Sequence, residues 1–275
     1  MLFQSYIFIL LFFPLCLLGF WGLKRQKLLQ LWLIAFSLWF YGAASPYYLL
    51  LLLGSIAWNY AFFRAIERGI GRVIERVSGS AMERAEYGME RDSSRKRLLL
   101  GIGIAGNLAL LCFFKYFNAI SAGWSQMKGL EDPILQLALP LGISFFTFQQ
   151  IGFLADAYKG EVGACSLREY VLFVSFFPYV SSGPIVNAQE MLPQYRQIGR
   201  QRLDWAKFAG GLYLFALGLS KKVLLADTFG KAVDAGYGNV AGLSGTDAWL
   251  VMLFYTLQLY FDFSGYCDMG RGIAH

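Results

Sequence analysis

Residues 28–63 read LLQLWLIAFSLWFYGAASPYYLLLLLGSIAWNYAFF, 36 positions without one charged side chain. At about 1.5 Å per residue a single helix of that length would reach roughly 54 Å, while a bilayer core is about 30 Å thick. The stretch is therefore too long for one crossing and too apolar for a soluble surface. Its middle holds Gly42-Ala43-Ala44-Ser45-Pro46. A proline pushes the residue before it out of the helical region, so the chain turns at Ser45. Two spans follow, 28–45 and 46–63.

The rest of the chain repeats the pattern. Residues 1–23, 98–114, 133–155 and 170–189 also lack charge. Charged residues make up 15% of the whole, against about 25% in a typical soluble domain. Several uncharged stretches of span length do not occur together in a soluble fold. No basic residue precedes the first apolar run and no small-residue cleavage site follows it, so 2–23 reads as an uncleaved first span. The net charge of +6 does not point to nucleic acid, because the basic residues cluster in short loops, as the positive-inside rule expects. Cys16, Cys112, Cys165 and Cys267 form no CxxC pair and no metal-ligand spacing, which predicts small apolar residues and no metal site.

The expected fold is an all-α polytopic membrane protein in one domain, 1–275. It has about seven spans: 2–23, 28–45, 46–63, 98–118, 134–157, 208–227 and 247–263. Loops 24–27 and 64–97 are both basic and two spans apart, which places both in the cytoplasm and the N-terminus outside. Within the second loop, Ile66, Ile70, Val73, Ile74 and Val77 fall on one helical face, and Arg64, Arg68, Arg72 and Arg76 form a second stripe. A cytoplasmic amphipathic helix is expected there, lying on an anionic leaflet or packed on the protein itself. Residues 79–97 are expected to form a mobile polar loop. The stretch 170–189 has basic residues at both ends and holds Phe177-Pro178, Gly183-Pro184 and Asn187. Irregular backbone at membrane depth survives only inside protein or beside a watery cavity, so this segment is expected to be re-entrant.

Charges and amides within spans are expensive and mark functional candidates. Gln149, Gln150 and Asp156 lie in or at the end of one span. Asp262, Ser264, Tyr266 and Asp268 lie at the end of the last, where Ser264-Gly265-Tyr266 is expected to break the helix inside a polar cavity. Lys221, Lys222 and Asp227 end another span, where pairing or snorkelling accounts for them. With Pro178, Gly183 and Pro184, these residues are the candidates for a substrate path. No GxSxG, P-loop or HExxH motif is present, and the only histidine is His275. On physical grounds alone an enzyme, a transporter and a membrane scaffold all remain open.

Four segments narrow the choice: Pro140-Leu-Gly-Ile-Ser-Phe-Phe-Thr-Phe-Gln-Gln150 running on to Asp156, Phe176-Phe-Pro-Tyr-Val-Ser-Ser-Gly-Pro-Ile185, Gly218-Leu-Ser-Lys-Lys-Val-Leu-Leu-Ala-Asp227 and Tyr260-Phe-Asp-Phe-Ser-Gly-Tyr-Cys-Asp-Met269. Together, and in this order, they resemble the membrane-bound O-acyltransferase superfamily, in the bacterial branch of alginate O-acetyltransferase membrane subunits. The resemblance implies acetylation of hydroxyls on an exported polysaccharide such as alginate, in the bacterial cytoplasmic membrane. It implies no resident cofactor. The acyl donor would be cytoplasmic, acetyl coenzyme A or an acyl carrier thioester, and extracytoplasmic acetyl-transfer proteins would be partners beside membrane lipid. Relatives with similar motifs act on teichoic acid. The family's catalytic histidine stands in an Arg-x-Trp-His-like motif beyond residue 275, so no catalytic residue is carried onto this sequence. The chain reads as the N-terminal portion of a longer protein, and the 275 residues alone are expected to be inactive.

Overall fold

A computed structural model describes residues 3–23, 25–78, 82–128, 137–183, 186–200 and 204–274, apart from the side chains of 69–93 and of Arg200. The described residues form helices and no strands. Among the described residues, three stretches are long and apolar enough to cross a membrane: Pro46–Arg68, Ser94–Met127 and Trp205–Gly238. The chain divides into two units. One comprises Met1–Gly22, Ser182–Pro184 and Arg200–His275; the other comprises Leu23–Ser181 and Ile185–Gly199.

In the second unit, α2 (Gln26–Gly42) and α3 (Pro46–Ser78) part at the expected turn. Pro46 opens α3, where a missing N–H costs nothing and a fixed φ favours the helix. The expected boundary at residue 63 is absent: α3 runs on to Ser78, because no proline interrupts the Ile-, Arg- and Glu-rich continuation. Ile66 is buried, and Arg64 pairs with Glu67 at 2.5 Å. The side chains of Ile70, Arg72, Val73, Ile74, Arg76 and Val77 lie outside the described residues.

The mobile loop expected over 79–97 is overturned in its described part. Helix α4 runs from Met82 to Met127. Its first residues, Met82-Glu-Arg-Ala-Glu, are polar but are strong helix formers. Helix α5 (Ile143–Lys159) starts nine residues later than the span expected from 134, because Pro140 and Gly142 build a turn before it. Gly142 (φ 68°) and Gly160 (φ 78°) close the helix at both ends in left-handed conformations.

The 170–189 stretch is broken. Helix α6 (Leu167–Ser175) begins at a capping box, with Ser166 and Glu169 bonding each other's backbone N–H. It stops before α7 (Phe177–Val180), and α8 (Ala188–Gln197) follows. Pro178 has no N–H for the carbonyl four residues back, and its ring would crowd it. Phe153 packs against the rings of Phe63, Tyr170 and Phe173, with centroids 4.7 to 5.5 Å away.

In the first unit, α1 (Phe8–Gly22) opens with a π-helical turn. Helix α9 (Trp205–Ser220) passes through a π-helical turn at Lys221–Ala226 into α10 (Asp227–Gly238). Helix α11 (Gly245–Ala274) is continuous, so the expected break at Ser264-Gly265-Tyr266 does not occur. Gly265 serves contact between helices: a methyl there would stand 2.8 Å from the Gly218 carbonyl oxygen. Gly211 and Gly272 meet in the same way one heptad away, at 2.5 Å. Small residues let membrane helices approach backbone to backbone.

Candidate functional site

The first two motifs converge in the second unit. The Leu141–Gly142 turn lies against the end of α7, so closely that any Cβ on Gly142 would collide with the Val180 carbonyl oxygen. From the other side, the Tyr41 hydroxyl donates to the Leu141 carbonyl at 2.9 Å. The break between α6 and α7 then finds its partners in side chains. In an unbroken helix, the Phe177 N–H would bond the Phe173 carbonyl. Instead Phe177 N–H donates to Ser37 Oγ at 3.2 Å, and Gln149 Nε2 donates to the Phe173 carbonyl at 3.0 Å. Two helices thus supply partners for the donor and the acceptor that the break sets free.

Gln150 is fully buried. Its Nε2 donates to Ser55 Oγ at 2.9 Å, and its Oε1 accepts from the Tyr170 hydroxyl at 3.2 Å. One turn along α3, Asn59 Nδ2 donates to the Ser55 carbonyl, and Asn59 and Asn107 bond each other through both amides. A buried hydrogen-bonded seam therefore joins α6, α5, α3 and α4. Sequence reading missed Ser37, Ser55, Asn59, Asn107 and Tyr170. Their signal is the presence of amides and hydroxyls inside apolar stretches, the same feature that singles out Gln149 and Gln150.

Asp156 does not join this seam; its charged neighbours are Lys159 and Glu161. Pro178 is buried in α7 and Gly183 is buried after it. Pro184 and His275 lie outside the described residues. Near the seam's outer edge, Arg196 Nε donates to Glu169 at 2.8 Å and its Nη2 donates to the Ala164 carbonyl. Burial lifts the Glu169 carboxyl, but hydrogen bonds from Arg196 and Ser166 outweigh it and hold it below the usual carboxylate range.

The third and fourth motifs converge in the first unit, on the glycine-packed pair α9–α10 and α11. Lys221 Nζ reaches Ser264 Oγ at 3.0 Å and Asp268 at 2.6 Å. Lys222 Nζ lies between Asp227 at 3.0 Å and Asp262 at 2.7 Å. The lysines sit where the π-helical turn begins. Pairing accounts for both lysines, as the sequence suggested, and Asp262 is one of the partners. Half of the Asp262 side chain remains exposed, so it combines a pairing role with an open face. Tyr266 stacks on Phe3, centroids 4.7 Å apart.

This arrangement offers buried amide and hydroxyl groups in one unit and paired charges in the other. Among the described residues no cluster of three or more potential ligands could hold a metal ion, and all four cysteines are free thiols.

No protein-family model matches the sequence. Over its full length the chain is 36% identical to the peptidoglycan O-acetyltransferase of Helicobacter pylori, covering 54% of that protein. It is also 36% identical to the probable alginate O-acetylase AlgI of Pseudomonas putida, covering 52% of it. About half of the chain is 28% identical to the teichoic acid D-alanyltransferase of Lacticaseibacillus rhamnosus. The chain spans about half the length of the curated relatives that it matches from end to end.

Proposed function

We propose that the chain belongs to the membrane-bound O-acyltransferase superfamily and contributes to an enzyme that O-acetylates hydroxyls of a cell-surface polysaccharide. The observation that carries this reading is the end-to-end match at 36% identity to proteins named for O-acetylation of peptidoglycan and of alginate. The donor is a cytoplasmic thioester, acetyl coenzyme A or an acyl carrier. An acceptor hydroxyl attacks the thioester carbonyl, a base takes its proton, and the thiol leaves. None of the described residues is given the role of that base. Extracytoplasmic acetyl-transfer proteins act as partners.

In this reading the protein sits in the bacterial cytoplasmic membrane with about seven crossings, and 170–189 is re-entrant. Helices α6, α7 and α8 hold 9, 4 and 10 residues, at most about 15 Å each, half of a bilayer core. Their buried side chains and side-chain-satisfied break suit a segment enclosed by protein. Candidates for lining a substrate path are Gln149, Gln150, Asp156 and Pro178 in the second unit and, separately, Gly183, Asp262, Ser264, Tyr266 and Asp268 in the first. The open side of Asp262 supports its place there, since a carboxylate facing lipid would cost about 2.5–3.5 kcal/mol.

Disruption of the gene in its own host tests the function. Ester-linked acetate on the cell-surface polysaccharide should fall and return on complementation. Unchanged acetate with lost alanyl ester would move the substrate class to teichoic acid.

A further inference from the structure

Residues 137–140 have no regular structure, and 141–142 form the turn that opens α5. Backbone in such a stretch lacks helical partners and must find others. Side chains of three helices provide them. From α4, Asn118 Nδ2 donates to the Leu137 carbonyl at 2.7 Å, and Asn118 Oδ1 accepts from the Leu137 N–H at 2.9 Å. From α3, the Tyr48 hydroxyl donates to the Ala138 carbonyl. From α2, the Tyr41 hydroxyl donates to the Leu141 carbonyl. Among the described residues, the one backbone bond to 137–141 is local, from the Ile143 N–H to the Pro140 carbonyl.

The outer side of this strap is open, with Ala138 and Leu139 exposed. Its inner side presses on α7. A methyl on Gly142 would collide with the Val180 carbonyl oxygen and stand 3.0 Å from the Ser181 Cα. Val180 and Pro178 are buried. From another side α2 holds α7: Ser37 accepts from the Phe177 N–H, and the Phe40 and Phe177 rings pack 5.8 Å apart. A four-residue helix has too few bonds of its own to persist alone, so α7 depends on such neighbours.

We infer that residues 137–142 act as a lid on α7. The strap releases as a unit ahead of the helices and uncovers Val180 and the α6–α7 break, whichever reaction the protein serves. A plain connection between α4 and α5 has no need of backbone contact with α7. This one makes that contact through a left-handed glycine and is fastened by separate side-chain bonds, each weak on balance. Segments with few backbone bonds and open surface occupy the low end of a protein's range of local opening free energies.

The test uses the full chain in mild detergent, carrying Val180→Cys and exposed to a water-soluble maleimide. Peptide mass spectrometry reads labelling at position 180 and at native Cys165, which is buried at the opposite end of α6. Labelling at 180 should run ahead of labelling at Cys165. Tyr41→Phe with Tyr48→Phe removes two strap bonds and keeps both rings. It should speed labelling at 180 by about 25-fold, about fivefold for each bond, and leave Cys165 unchanged. Gly142→Ala keeps the side chains of all three fasteners but forces the strap off the Val180 carbonyl, and it should also speed labelling at 180 alone. Unchanged labelling at 180 in either variant would overturn the proposal. Equal rates at 180 and Cys165 before any strap substitution, or equal rises at both after it, would overturn it too, because the unit would then open as a whole.

Discussion

Gln149 donates a hydrogen bond from α5 to the carbonyl of Phe173, the group that the break between α6 and α7 leaves without its helical partner. A residue chosen from sequence for its polarity within an apolar span thus has a definite structural task. It satisfies irregular backbone in a setting where lipid could not.

Gln149→Leu removes that donor and keeps the side chain's bulk. A buried carbonyl left unsatisfied costs about 1–3 kcal/mol. The variant should unfold at lower temperature in detergent and be cut faster by protease near residues 173–181. Unfolding and cleavage like those of the parent would mean that water reaches the break.

Gly218→Val should be more severe. The first added carbon would stand 2.5 Å from the Gly265 carbonyl oxygen and 2.7 Å from the Met269 nitrogen. Backbone on both sides leaves no flexible side chain to yield, so α9 and α11 must separate. The expected result is loss of folded protein from membranes, with Gly210→Ala, where a Cβ meets nothing within 4 Å, as the tolerated control. Normal yield of Gly218→Val would show that the two helices are not in backbone contact.

Lys222→Met leaves Asp227 and Asp262 close together with no cation between them. Removal of one partner from a fully buried pair costs about 3–5 kcal/mol. The partial exposure of both carboxylates lowers the expectation to roughly 1–2 kcal/mol. Adding Asp227→Asn and Asp262→Asn should restore most of the loss. Failure of that rescue would assign the loss to packing of the lysine stem.

The Glu169 carboxyl is held low by Arg196 and Ser166 despite its burial. A group whose folded pKa is depressed stabilises the fold above its unfolded value, about 4.3, and that contribution disappears as pH falls through the folded value. Stability of the parent should therefore drop below about pH 4.5 by more than that of Glu169→Gln. Parallel pH profiles for the two would show that the pair contributes nothing measurable.

The turn at Gly42–Pro46 was legible because proline acts on its immediate neighbour. The pairing of the lysines was legible because charges in an apolar segment need partners nearby. Other features depended on contacts that local sequence does not carry. Gly265 could either break a helix or let another helix touch it, and only Gly218 opposite decides. Asn59 and Asn107 carry no charge and were passed over, although each completes the other's hydrogen bonds. The polar start of α4 was misread because polarity and helix propensity are separate properties, and Met, Glu, Arg and Ala favour the helix wherever they are solvated.

Radiolabelled acetyl coenzyme A, supplied to the cytoplasmic face of membrane vesicles from cells with the gene intact or deleted, tests the proposed acetyl transfer to polysaccharide hydroxyls. Base-labile label in polysaccharide is then measured. Label should depend on the gene and be released as acetate by mild alkali. Equal label in both vesicle preparations, with the endogenous polysaccharide present in each, would contradict it.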